Sequence, residues 1–167
     1  MFFKTYQKLL GASCLALYLA GCGNSGGGES PIEMSVNSEG AFQISSRVDS
    51  VTIQGVKLNR GNCVVSFVSE EEMAQRAGLA ILTGVLPIIP ISMQDFKDMA
   101  SFYKEIGQKE RVANIQNKIS QLEQKGVMME PQTLKFGESL KGISQGCNII
   151  EAEIQTDKGS WTFNFNR

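Results

Sequence analysis

No histidine occurs anywhere in the 167 residues. Its absence removes the usual general base, the proton shuttle and the imidazole metal ligand together. Neither sign of charge dominates: 16 lysines and arginines stand against 17 acidic residues, a formal net charge of −1. A chain with that balance and scattered lysines has no electrostatic footprint for nucleic acid. Long apolar runs are also missing. The two greasiest stretches, residues 9–20 and 77–91, fall short of the about 20 apolar residues that a membrane-crossing helix needs. The second also carries Pro87 and Pro90. Buried core, or a greasy loop touching a partner, is the expectation for 77–91. The glycine-rich stretch 23–30 lacks the Gly-Lys-Ser/Thr ending and the preceding strand of a phosphate loop, so no nucleotide or other cofactor is expected.

What is present is concentrated at the N-terminus. Lys4 and Lys8 precede the apolar run 9–20, which only Gly11, Ser13 and Tyr18 interrupt and which ends in Leu19-Ala20-Gly21-Cys22. Charge order, apolar length and small closing residues are those of a secretory signal. The last four residues resemble the lipobox of bacterial lipoproteins, a signal peptide cut just before a cysteine that then carries lipid. The resemblance covers residues 1–22 only. It implies diacylglycerol on the Cys22 sulfur and an acyl chain such as palmitate on its new amine, an anchor to the membrane. At about 0.8 kcal/mol per buried methylene, three chains make it effectively permanent. Gly23 follows where an aspartate would hold the protein in the inner membrane, so the outer membrane is favoured.

Residues 1–21 are then the signal peptide, 22–30 the lipidated cysteine and a flexible tether, and 31–167 one α+β domain. Loss of the signal removes two lysines and no acid, leaving 14 basic against 17 acidic residues, a net charge of −3. The tether spans about 15 Å root-mean-square, keeping the domain close to its membrane. Of the four cysteines, Cys14 leaves with the signal and Cys22 takes lipid, so Cys63 and Cys147 remain. Two thiols in an oxidising envelope read as one disulfide. It would close a loop of 84 positions, worth about 4–5 kcal/mol in the chain-entropy picture. With no histidine and no third cysteine, a metal site is not expected.

Alternating apolar residues mark strands from Pro31 onward: Ile32, Met34 and Val36, then Phe42 and Ile44, then Val51 and Ile53. After Gly55 the phase slips by one to Val56 and Leu58, as a bulge would produce. The cluster Asn59-Arg60-Gly61-Asn62 predicts a turn, and the apolar run 63–68 a strand pairing back as a hairpin. Ser69 with Glu72, followed by Gly84 and Pro87, predicts a short capped helix. Ser92 and Asp95 form a second capping pair. Behind them Phe96, Met99, Tyr103 and Ile106 share one helix face, and Val112, Ile115, Ile119 and Leu122 repeat the spacing beyond a break at Gly107-Gln108. Two antiparallel helices, or one long helix with a phase slip, satisfy that pattern, and Gly126 marks its stop. Leu134 and Phe136 alternate ahead of a turn at 137–139. Ile150, Ala152 and Ile154, then Trp161, Phe163 and Phe165, predict a closing hairpin whose first strand Cys147 begins. The whole reads as an antiparallel β core, sandwich-like or one curved sheet, carrying a helical insertion at about 69–130. Excising 70–130 is expected to leave that core folded.

Four constellations invite chemistry. Ser101 and Lys104 fit the Ser-x-x-Lys spacing of serine acylases such as penicillin-binding proteins, but their partner motifs are missing from the mature chain, and a solvated helix face is the plainer reading. Glu151 and Glu153 share one strand face, the sort of pairing a metal or glycosidase uses, but that face is the polar one. The aromatic stripe at 161, 163 and 165 suits sugar stacking less well than core. Met73, Met93, Met99, Met128 and Met129 cluster in the insertion, where methionine serves either core or adaptable surface. The expected function is therefore non-catalytic. The chain reads as a lipid-anchored envelope protein docking through its helical insertion on another envelope component, as an assembly factor of a secretion or conjugation system or an exclusion lipoprotein would. A small periplasmic hydrolase working through carboxylates, or a ligand-binding lipoprotein with a cavity between sheet and helices, is the alternative.

Overall fold

A computed structural model describes residues 28–68, 70–84 and 89–165, and among them the chain forms seven strands and three α-helices. The signal sequence, Cys22, most of the tether, Ser69 and Pro87 lie outside the described residues, as do the side chains of Glu70, Glu71 and Met73. In β1 (Ile32–Val36), β2 (Ala41–Ser46) and β3 (Ser50–Leu58), every second side chain turns inward. The alternation slips in β3, where the register shifts between Ile53 and Gly55 as the sequence predicts. β4 (Gln132–Lys135), β5 (Ser139–Ile143), β6 (Glu151–Thr156) and β7 (Gly159–Asn164) complete two antiparallel sheets, ordered β1-β2-β5 and β4-β3-β6-β7.

The chain changes sheet between β2 and β3, between β4 and β5 and again between β5 and β6, and one apolar core fills the space between the sheets. Ile32, Phe42 and Ile44 come from the first sheet. Val51, Ile53, Leu58, Ala152, Ile154 and Trp161 come from the second. Each large side chain so buried contributes about 1.5–3 kcal/mol. Phe163 and Phe165 pack against this core, so the aromatic stripe is structural.

Three local expectations are corrected. Residues 63–68 form no strand but an extended segment with isolated bridges, Cys63 to Leu58 and Ser66 to Ile143. There the backbone N–H of Ser66 donates to Ile143 O (3.0 Å) and that of Ile143 to Ser66 O (2.8 Å), covering the open edge of β5. Cys147 does not begin β6; it lies four residues ahead of it, in the loop after β5. β5 itself starts at Ser139, where the sequence suggested only a turn. Its pattern is hidden by Gly142, which pairs with Phe42; a Cβ there would fall 2.3 Å from the Phe42 ring. The ring takes the space a side chain would need, so the strand shows a gap in sequence where the structure is full.

Between β3 and β4 run α1 (Glu70–Thr83), α2 (Met93–Glu105) and α3 (Lys109–Gln124). Gly84, Gly107 and Gly126 follow them at φ between +66° and +74°, the left-handed positions that stop helices. Met93 and Phe96 at the start of α2 meet Leu122 near the end of α3, and Met99 and Tyr103 meet Val112 and Ile115. The pair is therefore an antiparallel hairpin, with Arg111 stacked 5.5 Å from the Tyr103 ring centre near its tip.

Candidate functional site: the helical insertion and its neck

The insertion joins the sandwich through a narrow neck organised by one buried carboxylate. Asp95 closes the capping box of α2, with the Ser92 Oγ accepting from its N–H and its Oδ2 accepting from Ser92 N (2.8 Å). The same carboxylate reaches further. It accepts from the backbone N–H groups of Phe67 (3.1 Å to Oδ1), Val68 (3.3 Å) and Ile91 (3.2 Å), and from Ser66 Oγ at 2.5 Å. Asp95 is only 1% exposed. Cap geometry is legible in the Ser-x-x-Asp spacing, but the grip on 66–68, some 28 residues upstream, is not. The returning chain is tied in as well: Met93 N donates to Met128 O (3.0 Å) and Glu130 N to Ile91 O (2.8 Å). Lys118 of α3 pairs with Glu130.

Next to the neck, Cys63 and Cys147 are bridged, with Cα atoms 6.0 Å apart, as the sequence predicts. The turn before Cys63 is held by Asn59. Its Oδ1 accepts from Ile150 N (2.9 Å) and Glu151 N (3.1 Å), and its Nδ2 donates to Asn148 O (2.8 Å). Asn59 and Arg60 both have positive φ, 47° and 59°. Such a turn persists where the surroundings over-determine it, here through the Asn59 side chain and the disulfide.

The last turns of α1 carry an exposed apolar surface. The small residue Ala80 is fully buried against Met99 and Tyr103. Leu79 is 53% exposed, Ile81 68% and Leu82 85%, with Ile89 beyond the helix at 83%. At 100° per residue, positions 79, 81 and 82 cover the half of the helix opposite Ala80. Comparison with known proteins finds no match: no protein family, no curated sequence and no solved structure is similar to this chain. The α1 surface must therefore be read from its own chemistry. Four apolar residues in succession, 79–82, wrap more than a full turn, so no helix docked on one side buries them all; that run is the signal in the sequence.

The segment that leads into the insertion joins the first sheet at the opposite end from the start of β1. Ile32 pairs with Ser46 at one end of β2, whereas Ile143, which holds Ser66 and the insertion, pairs with Ala41 at the other. Within the insertion, Gly84 ends α1 beside Gln108 at the α2–α3 tip, where a Cβ would lie 3.6 Å from Gln108 Nε2.

The remaining candidates do not converge. Ser101 and Lys104 are both exposed on α2. Glu151 pairs with Arg60 (3.3 Å) and Glu153 with Lys57 (3.7 Å), each as a cross-strand or turn contact. Among the described residues no three Cys, Asp or Glu side chains gather as metal ligands would. No described helix is long and apolar enough to cross a membrane. Of the methionines, Met93, Met99 and Met129 are buried and Met128 is exposed.

Proposed function

We propose that this is a lipid-anchored bacterial cell-envelope protein, held in the outer membrane through Cys22, that works without catalysis by docking the α1 face of its helical insertion on another envelope protein. The observation that carries the reading is the exposure of Leu79, Ile81 and Leu82 around a buried Ala80. Leaving such side chains in water forgoes about 1.5–3 kcal/mol each. Exposed contiguous apolar surface of this kind marks an interaction site in soluble domains. The geometry suits an anchored receptor: β1 begins at one end of the first sheet and the segment leading into the insertion joins at the other. The carboxylates that a hydrolase would need are spent on ion pairs with Lys57 and Arg60.

The test is photo-crosslinking in intact cells from a reactive amino acid at Leu82, with the exposed Glu153 of β6 as control. One envelope protein captured from Leu82 and not from Glu153 is the expected result. Equal capture from both positions, or none from either, overturns the docking assignment. Metabolic lipid labelling tests the anchor separately: Cys22→Ser abolishes the label if Cys22 is the lipidated residue, and leaves it unchanged if the assignment is wrong.

A further inference from the structure

Where the insertion meets the sandwich, a half-open cleft of about 320 Å³ lies between the end of β3, the segment after the Asn59 turn and the first turn of α2. Its walls include the buried Val56, Met93 and Met129, and its mouth is flanked by Val64 (59% exposed) and Met128 (62% exposed). This cleft is separate from the α1 face and owes nothing to that assignment. Two features point to its occupant. The volume stands at the small end of the about 300–1,000 Å³ range of ligand pockets, which suits one slender chain rather than a bulky ligand. The charged residues around it are Lys57 and Lys97, with no acid, although the chain as a whole is net acidic. Lys57 is engaged by Glu153, whereas Lys97 makes no ion pair among the described residues, so the rim offers one uncompensated positive charge.

We infer that this cleft binds a single medium-length acyl chain ending in a carboxylate, the chain lying against Met93 and Met129 and the carboxylate meeting Lys97. Methionine walls adapt to a flexible chain because the side chain is unbranched and polarisable. An apolar pocket with a few placed polar groups is the usual form of a small-molecule site, the polar groups fixing orientation. One net charge on the rim matches a monoanionic carboxylate better than a dianionic phosphate.

The experiment uses the full chain mixed with phosphatidylcholine vesicles and a photoactivatable dodecanoate, with labelled peptides mapped by mass spectrometry. Labelling is expected on peptides containing Val64 and Met128, competed by dodecanoate and at least fivefold less by dodecyltrimethylammonium. Lys97→Glu, an exposed change that leaves the cleft walls intact, is expected to lower the labelling about fivefold, the scale of one surface charge pair. Equal competition by the cationic amphiphile, labelling of Lys97→Glu at the original level, or labelling confined to other surfaces each overturns the assignment. Preferential competition by dodecyl phosphate replaces the carboxylate with a phosphate head and overturns the monoanion argument.

Discussion

In β6 the buried positions are Ala152, Ile154 and Thr156 and the exposed ones Glu153 and Gln155. Among the described side chains of α1, Ala80 is buried and Leu79, Ile81 and Leu82 are exposed. The two elements face the same solvent with opposite preferences. The sandwich satisfies itself: thirteen buried apolar residues form one cluster spanning both sheets. Buried apolar residues of the helical insertion instead form two small clusters, one at the base (Met93, Phe96, Leu122) and one at the tip (Ala80, Met99, Tyr103). A helix turn that leaves Leu79, Ile81 and Leu82 outside while burying Ala80 is shaped by something other than its own stability. The lesson is that the β core carries the fold and the insertion carries a surface.

That division is most sharply tested at the neck. Asp95→Ala strands the N–H groups of Phe67, Ile91 and Ser92, while the Ser66 hydroxyl keeps Val68 O and Val68 N keeps Ser66 Oγ. Each orphaned buried donor costs about 1–3 kcal/mol, partly recovered by entering water, so a loss of roughly 3–5 kcal/mol is expected. Denaturant titrations followed by Trp161 fluorescence and by helical circular dichroism separate the two regions. The helical transition should move to lower denaturant and part from the Trp161 transition. If both still move together, insertion and sandwich are one cooperative unit and the comparison fails.

The disulfide acts on the other partner of that pair. Replacing Cys63 and Cys147 by serine together releases a loop of 84 positions that encloses the whole insertion. A loss of about 2–4 kcal/mol is expected, below the entropic ideal. It should appear in the Trp161 transition, because both cysteines pack against the sandwich core. A shift confined to the helical signal would place the staple in the insertion instead. Gly142→Ala is the next smaller perturbation. Its Cβ would overlap the Phe42 ring, which also packs edge-on to Phe67 at 5.8 Å between centroids. A loss of about 1–3 kcal/mol, again read by Trp161, is expected. An unchanged midpoint would show that the ring can swing aside.

Legibility from sequence follows the same boundary. Strands of the sandwich announce themselves because period-two burial leaves a period-two trace, and even the Gly55 bulge shows as a phase slip. The α2–α3 break shows because Gly107 interrupts two matching stripes. What escaped depends on contacts distant in sequence. β5 is hidden by the Phe42 ring over Gly142. The run 63–68 looks like a strand but finds only single bridges. Asp95 looks like a cap but also clamps 66–68. Excising 70–130 would also remove Met129, which is 1% exposed inside the sandwich core and which the sequence pattern did not place there. Of the proposed docking surface, the apolar excess within 77–91 was visible, but not that Ala80 would be the residue turned in against Met99 and Tyr103.

The smallest expected effect on stability is the most informative for function. Leu79→Ser with Leu82→Ser changes two side chains already more than half exposed. Surface substitutions of that kind stay within about 0.5 kcal/mol each, so both transitions should remain near their original midpoints. Capture of a partner from intact cells should nevertheless fall at least tenfold, because an apolar anchor removed from a desolvated interface costs far more than the same change in water. Ala80→Leu gives the converse. It overfills the contact with Met99 and Tyr103, lowers the helical transition by about 1–3 kcal/mol and leaves the outer face chemically unchanged. If the double serine variant destabilised the fold while partner capture persisted, α1 would be ordinary core left partly uncovered, and the contrast between a self-sufficient sandwich and an outward-directed insertion would dissolve.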